Sequence, residues 1–429
     1  MLLVLVLLGG VFSLATYAEQ QPQGAEAAAQ VAAEVVNRFD RDSGTISVMV
    51  AVTKTPDDLA FAQSLRKTLE QHETIKVIVV EGEPQDARRE LEKGWMDAIA
   101  CQQGTAGKWL VFANLRTDFP KLGDVPVITA RNYRWPNFLK SQNLLNIANQ
   151  IAVIAIVAIG MTMVIVTGGI DLSVGSLIAL SAVVSCLCIR QFAGGVAAGT
   201  LGMAGGCLVG ILVCGLVGTF SGAMIVLFRI PPFIVTLSMM LMASGLAFRL
   251  TAGESVSQVP DTFVWLGRGV DLLGLPNAVV LMLTLYAVAH VVMSRTTLGR
   301  YLYAVGGNAE AARLSGVPVS RILLFAYAAS GLLAGVGGVV MASLLKSGSP
   351  RYGEMYELYT IAAVVVGGTS LSGGEGRMTG TLIGALIIAV LQNGMNLTGI
   401  EPYTQKIVLG MVILTAVFLD QLKQRFWNR

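Results

Sequence analysis

The chain has 429 residues, of which 54% are hydrophobic and 13% are charged, and its formal net charge is +3. Soluble domains have roughly 25% charged residues, so this composition excludes an ordinary soluble protein and predicts a polytopic membrane protein. The small net charge gives no reason to expect a nucleic-acid partner. Two distant histidines, and five cysteines without the spacing of a zinc site or a disulfide framework, predict no metal, no cofactor and no catalytic residue.

Residues 1–17 are apolar and uncharged. They are either a first transmembrane helix or a signal-like segment. A signal peptide normally begins with basic residues, and none are present here, which favours the helix. A transmembrane helix needs about 20 residues, so a truncated start is a third alternative.

The next segment, residues 18–136, is much more polar, and more than half of all charged residues fall between positions 18 and 147. The predicted strands are 45–52, 76–80, 98–101, 109–113 and 125–129, and the predicted helices are 25–39, 56–71 and 84–95. Strands that alternate with helices predict a small parallel α/β domain. This insert has no glycine-rich phosphate loop, and it resembles a shortened half of a periplasmic sugar-binding protein.

Residues 137–421 contain a series of apolar stretches that predict a transmembrane domain. These stretches are 150–168, 173–189, about 203–228, 233–250, 277–294, 321–344, 358–371, 379–397 and 404–420. With the first segment they make about ten helices. The predicted fold class is therefore an all-α polytopic membrane protein with about ten transmembrane helices and an inserted small α/β extracytoplasmic domain.

The distribution of Lys and Arg predicts the orientation. Several arginines surround a short polar island, residues 306–316, and short loops rich in Arg lie on the cytoplasmic side. Alternation of the helices then puts the insert outside. It also puts the tail, 422–429, with Lys423, Arg425 and Arg429, in the cytoplasm.

The polar island itself carries helix signals. Asn308 is a good N-cap, residues 309–314 are strong helix formers, and Gly316 stands where a helix stop is expected. One interpretation is an ordinary loop between two membrane helices. The other is a short helix onto which a cytoplasmic motor docks.

Two glycine-rich segments, 167–176 and 367–376, interrupt the apolar stretches. In the first, Asp171 or Ser173 can cap the following helix, and we favour capping over direct transport chemistry for Asp171. The second contains Leu-Ser-Gly-Gly-Glu, close to the signature pentapeptide of ABC-type ATPases. Because the chain has no Gly-x-x-x-x-Gly-Lys-Ser/Thr loop, we reject that assignment and predict a flexible inner turn.

Five motifs, at 168–176, 232–237, 307–316, 367–370 and 384–394, follow one another in an order that resembles one known family. They are similar to the ribose-type permease subunits of bacterial ABC importers, in the wider branched-chain amino acid and sugar permease family. The resemblance implies a multi-pass protein of the bacterial inner membrane that is not itself an enzyme. It also implies cytoplasmic ATPase subunits, a second permease copy or paralogue, and an extracytoplasmic sugar-binding protein as partners.

The resemblance also implies that the island is the coupling helix, which sits in a cleft of the ATPase. The coupling residues implied here are Gly307, Asn308, Glu310, Ala311, Ala312, Arg313, Ser315 and Gly316. Candidates for the translocation path or the helix breaks are Gly168, Gly169, Asp171, Ser173, Thr236, Gly367, Gly368, Gln392, Asn393 and Asn396. The polar members of this second set either bind sugar hydroxyls or hold helices together.

Several alternatives remain at this point. The solute is a monosaccharide or a similar small polar molecule, and a nucleoside or a branched-chain amino acid fits the wider family. An ion-coupled secondary transporter would need several carboxylates or histidines in the membrane, and Asp171 is the one clear candidate. The insert departs from the family pattern, and it either touches or replaces the binding protein or is a decoration.

Overall fold

The computed structural model describes residues 1–39, 45–72, 74–272 and 274–427, the last five without their side chains. The side chains of Lys423 and Arg425, and all of Arg429, therefore lie outside the described part of the predicted tail. The chain forms two compact units. The membrane unit contains Met1–Thr16 and the chain from Asn137 onward, and the inserted unit is Tyr17–Pro136. Helix α1 (Leu2–Ala15) begins the membrane unit.

The described residues of the inserted unit form two sheets. Strands β1 (Tyr17–Gln20) and β6 (Tyr133–Pro136) pair antiparallel where the chain enters and leaves the unit. The other four strands are parallel, in the order β3-β2-β4-β5. Their bounds are β2 (Ile46–Val52), β3 (Ile75–Glu81), β4 (Ala98–Cys101) and β5 (Val127–Ile128).

Helices cover both faces of the parallel sheet. Val48, Val50 and Val52 of β2 pack against α2 (Gly24–Phe39) and α3 (Pro56–Leu69). On the opposite face, Met49 and Ala51 belong to a second core with α4 (Pro84–Leu91) and the segment after α5 (Gln103–Lys108). This alternation follows from the two-residue repeat of a strand. A short helix, α6 (Leu115–Asp118), precedes β5.

The predicted strand at 109–113 is wrong, because Leu110–Phe112 is a turn of 3-10 helix. Trp109 and Phe112 are both buried in the same core and stack with their ring centroids 5.6 Å apart. Residues three apart face the same side of a 3-10 turn, whereas a strand would direct them to opposite faces. Burial of both aromatic rings therefore favours the helical turn.

Eight helices of the described chain are long and apolar enough to cross a membrane. They are α7 (Ser141–Val166), α8 (Val174–Phe192), α9 (Thr200–Phe228), α10 (Pro232–Thr251), α12 (Asn277–Arg295), α15 (Val319–Leu345), α17 (Met378–Leu397) and α18 (Pro402–Trp427). Two apolar helices are shorter, α1 and α16 (Tyr356–Val366). The other short helices are α11 (Trp265–Arg268), α13 (Thr297–Gly307) and α14 (Ala309–Leu314).

Helix α7 lies at the centre of the membrane unit, because 89% of its most apolar 18-residue stretch is buried. Around it, helices approach closely at small residues. A Cβ added at Gly218 of α9 would lie 2.3 Å from the Tyr327 carbonyl of α15, and one at Gly160 of α7 would lie 2.6 Å from the Ser330 Cα. Small residues at such crossings are what membrane bundles need, because burial from water does not drive their packing.

Candidate functional site

The polar island forms the short helix α14, and local hydrogen bonds define both of its ends. The Asn308 side chain accepts a hydrogen bond of 2.9 Å from the Ala311 amide, which makes it the N-cap. At the other end Gly316 has φ of +84°, and its amide donates to the Arg313 carbonyl. The next amide, Val317, donates to the Ala312 carbonyl. These two bonds form a Schellman motif, so the island is a capped helix and not an irregular loop.

Helix α14 exposes nearly all of its surface. Leu314 is 84% exposed, and the Glu310–Arg313 ion pair, with 2.9 Å between the carboxylate and the guanidinium, is also exposed. Ala312 is the exception, because it is buried within the membrane unit. Of the residues implied to touch an ATPase, Ala312 therefore packs inward, while Asn308, Glu310, Ala311, Arg313, Ser315 and Gly316 are exposed.

Helix α13 ends where the two glycine-rich breaks meet, a contact that we name the glycine junction (Gly306, Val166 to Gly168, and Gly373 with Gly374). A Cβ at Gly306 would lie 1.7 Å from the Val166 carbonyl oxygen. The Gly374 amide donates a 2.9 Å hydrogen bond to that same oxygen. A Cβ at Gly373 would lie 2.8 Å from the Gly306 oxygen and 3.0 Å from the Gly168 nitrogen. Three motifs that are distant in sequence thus touch through their backbones.

The junction changes how the second break is understood. Gly373 and Gly374 have φ of +85° and +76°, which glycine adopts without strain. The hydroxyl of Tyr303, in α13, also donates to the Gly376 carbonyl at 2.7 Å. The second break is a turn between α16 and α17, and backbone contacts hold Gly373 and Gly374 against α7 and α13. The predicted flexibility of this turn stays a prediction.

A buried carboxylate, Asp171, holds the first break in place through hydrogen bonds. Asp171 is 1% exposed and accepts hydrogen bonds from the Ser173 amide (3.0 Å) and the Ser173 hydroxyl (2.6 Å). Its other oxygen accepts from the Ser330 hydroxyl of α15 at 2.8 Å. Ser173 occupies the N-cap position of α8, but its hydroxyl bonds to Asp171 and not to the helix. Among the described residues, Asp171 forms no ion pair.

The other break residues are positioned by close packing. The Thr236 hydroxyl of α10 lies 3.2 Å from the Ile170 carbonyl, so α10 also contacts the first break. A Cβ at Gly169 would lie 2.3 Å from the hydroxyl of a tyrosine in α15. Position 168 favours glycine for a different reason, because its backbone φ is +81°. In the second break, Gly367 packs against the Gly380 carbonyl, and Gly368 has φ of +89°.

Gln392 and Asn396 line a separate polar pocket of about 290 Å³, which we name the membrane pocket. Its other lining residues are Gln150, Ile154, Glu354, Tyr356, Tyr359 and Gln405. The Gln405 amide donates to the Asn396 side-chain oxygen at 2.8 Å, which links α18 to α17. Seven of the eight lining side chains carry a polar atom, so the pocket can hydrogen-bond a hydroxylated solute from several directions.

Asn393 does not line the membrane pocket. Its side-chain amide exchanges two hydrogen bonds with Asn143 of α7, of 3.0 and 2.9 Å. This reciprocal pair joins α17 to α7, which is the commoner use of polar side chains in membrane bundles. The break residues do not line the membrane pocket either, so the predicted path residues fall into two groups with different surroundings.

Sequence reasoning missed most of the membrane pocket. Gln150, Glu354, Tyr356, Tyr359 and Gln405 were not among its candidates. Glu354 carried a usable signal, because an acidic residue beside a short apolar helix is expensive in a membrane and commonly functional. Glu354 also lines a neighbouring cavity of about 310 Å³ with Glu357 and Arg351.

Comparison with known proteins now gives this geometry a family. Residues 143–417 match the family model described as "Branched-chain amino acid transport system / permease component". The chain belongs to this family of permeases. The inserted unit lies wholly outside the matched residues.

Named relatives cover the same part of the chain. The ribose import permease protein RbsC of Escherichia coli K12 is 44% identical over 297 residues, 67% of this chain and 88% of that protein. RbsC of Bacillus subtilis 168 is 42% identical over 290 residues, 67% of this chain and 87% of that protein. The L-arabinose transport system permease protein AraH of E. coli K12 is 37% identical over 290 residues, 68% of this chain and 86% of that protein. No solved structure matches the chain.

Proposed function

We propose that this chain is the membrane-spanning subunit of an ATP-driven ABC importer that admits a monosaccharide through the membrane pocket. The observation that supports this proposal most is the pocket itself, because seven polar side chains surround one cavity in a chain of this permease family. Each sugar hydroxyl donates and accepts hydrogen bonds, and Gln, Asn, Tyr and Glu side chains supply both partners. The relatives named for ribose and L-arabinose support a pentose as the solute.

The family description names branched-chain amino acids, so such an amino acid is one alternative solute, and a nucleoside is a second alternative. An ion-coupled transporter fits less well. Asp171 is hydrogen-bonded by Ser173 and Ser330, which is a structural use of the carboxylate and not the start of a relay. Energy would therefore come from a separate ATPase subunit.

The exposed face of α14 is the proposed ATPase contact. Its exposed leucine and its ion pair give a small surface of mixed character, held rigid by the caps at both ends. The glycine junction supports a route for force, because α13 touches the ends of both broken segments there. Docking at α14 would then move the breaks and, through them, α8 and α17.

We also propose the remaining assembly and topology. The short apolar helices α1 and α16 bring the count of spans to ten, in a multi-pass protein of the bacterial inner membrane. The inserted unit lies outside and the C-terminal tail in the cytoplasm. An extracytoplasmic binding protein delivers the solute. Only 6% of the most apolar 18-residue stretch of α18 is buried, so this helix has an uncovered apolar surface that lipid or a second permease copy would contact.

The test of the transport role is ATP-driven uptake in reconstituted vesicles that contain the permease, its ATPase and its binding protein. We expect labelled pentose to accumulate, and Gln392→Ala with Asn396→Ala to lower uptake by about tenfold or more, because two side chains that can hydrogen-bond the solute are lost. Gln191→Ala, at an exposed position of α8, is the control. Unchanged uptake in the double variant would refute the membrane pocket as the path.

A further inference from the structure

The inserted unit has a pocket of its own, of about 220 Å³, at the carboxyl ends of strands β2 and β4. Thr53, Asp57 and Asp58 line it from the segment that follows β2. Gln102 and Gln103 line it from the segment that follows β4. This pocket lies outside the residues that match the permease family, which begin at 143.

The strand order explains why a pocket forms at this place. From β2 the chain moves to β3 on one side, and then crosses back to β4 on the other side. Helix α3, which follows β2, belongs to the core on one face, while the segment after β4 belongs to the core on the other. The chain therefore diverges between β2 and β4. In open parallel sheets such a switch point leaves a crevice outside the strand ends, where ligands bind.

Two buried polar side chains give the crevice a fixed wall. The Asp58 carboxylate accepts a hydrogen bond of 3.1 Å from the Thr53 amide, and it also accepts a hydrogen bond from the Thr53 hydroxyl. Gln102 donates to the Asp57 carbonyl at 3.0 Å and so bridges the two sides. Asp58 and Gln102 are each 7% exposed. These bonds hold the surrounding backbone in place before any ligand arrives.

One lining group lacks a partner. The side-chain oxygen of Gln103 is buried and accepts no hydrogen bond within the described part of the chain. An unsatisfied buried acceptor destabilises a fold, so such an atom in a native structure calls for an explanation such as a bound partner. Gln103 itself lines the pocket, so we expect its side-chain amide to turn toward a bound ligand hydroxyl.

The lining also limits what the ligand can be. Two carboxylates, Asp57 and Asp58, disfavour an anion, and Lys108 on the opposite wall disfavours a cation. The volume is below the roughly 300–1,000 Å³ of sites for drug-sized ligands. Hydroxyl, amide, carboxylate and ammonium groups together suit a small neutral molecule that both donates and accepts at many points.

We propose that the inserted unit binds a monosaccharide in this pocket, as a second solute site separate from the membrane pocket. The carboxylates and the Gln103 oxygen accept from sugar hydroxyls, and Lys108 donates to them. The inserted unit is thus a receptor for the transported class of solute and not a decoration of the permease.

The test uses the full chain in lipid nanodiscs, with Gln392→Ala and Asn396→Ala present throughout so that the membrane pocket is disabled. D-ribose, L-arabinose and D-glucose are titrated one at a time by calorimetry. We expect at least one of them to bind. Asp57→Asn with Gln103→Ala should then weaken that binding by about tenfold or more.

The matched control is Asp118→Asn with Gln71→Ala, two exposed positions of the same unit outside the pocket. It should leave the affinity unchanged. The proposal is overturned if none of the three sugars binds at millimolar concentration, or if the pocket and control variants bind alike. Either failure leaves ATP-driven uptake by the unmodified chain intact, so it is distinguishable from a failure of the transport role.

Discussion

Helix α14 and the glycine junction are adjacent along the chain but have opposite construction. α14 is exposed, and a cap at each end defines it. The junction has no room for a methyl group, and its contacts are between backbones. An exposed helix can exchange side chains without loss of fold, so its surface is available for a partner. A backbone contact cannot be changed without moving its neighbours, so it is suited to passing on a displacement.

The largest effect is expected from a methyl group in the junction. Gly306→Ala would put a Cβ 1.7 Å from the Val166 oxygen, a backbone atom that cannot rotate away. Overpacking of this kind destabilises by about 1–3 kcal/mol or more. The control is Gly307→Ala, where a Cβ meets nothing within 4 Å. The melting temperature in detergent should fall for Gly306→Ala and stay unchanged for Gly307→Ala. Equal melting temperatures would show that the junction has room for a methyl group.

The next effect concerns the anchor of the first break. Asp171→Ala removes an acceptor of three hydrogen bonds and leaves the Ser173 and Ser330 donors unpaired in a buried site. We expect a loss of about 1–3 kcal/mol, because unsatisfied buried donors are expensive. Asp171→Asn keeps one acceptor oxygen and should lose less. If the two variants melt alike, the hydrogen bonds do not hold the break.

A smaller effect is expected at the start of α14. Asn308→Ala removes the side chain that accepts from the Ala311 amide, and lost N-caps reduce stability by about 1 kcal/mol. Asn308→Asp keeps a side-chain oxygen that can accept from the Ala311 amide, so this variant should keep the stability of the helix start. Hydrogen exchange of the α14 amides should report the difference. Equal protection in both variants would mean that the cap does not define the helix.

The smallest effect on stability is expected on the exposed face. Glu310→Gln breaks the ion pair with Arg313, in which both side chains are more than two-thirds exposed. Exposed pairs three residues apart contribute only about 0.2–0.5 kcal/mol. The melting temperature should therefore hardly change, and a drop comparable to that of Gly306→Ala would remove the contrast between the two regions.

The parts that the sequence predicted well have local causes. Asn308 and Gly316 are visible as cap residues because a cap depends on a few neighbouring positions. The order of motifs led to the permease family, which the match over residues 143–417 confirms. The apolar stretches likewise reveal membrane helices, because their composition alone distinguishes them.

The parts that it missed depend on contacts between distant residues. Nothing near Gly374 in sequence indicates that its amide meets the Val166 carbonyl. The membrane pocket combines residues of four helices and one loop, and only Gln392 and Asn396 were expected there. The helical turn at Trp109 was missed because its partner is a core shared by several elements.

The most direct test of the central claim, that the exposed face of α14 couples the permease to its ATPase, is uptake measured beside ATP hydrolysis in reconstituted vesicles. The variant is Leu314→Asp, and Thr297→Asp is the control, because it adds the same charge at an exposed position of the neighbouring α13. Both variants should melt as the unmodified chain does. We predict that Leu314→Asp abolishes solute-stimulated hydrolysis and uptake, while Thr297→Asp retains both. Full, coupled uptake by Leu314→Asp would contradict the account.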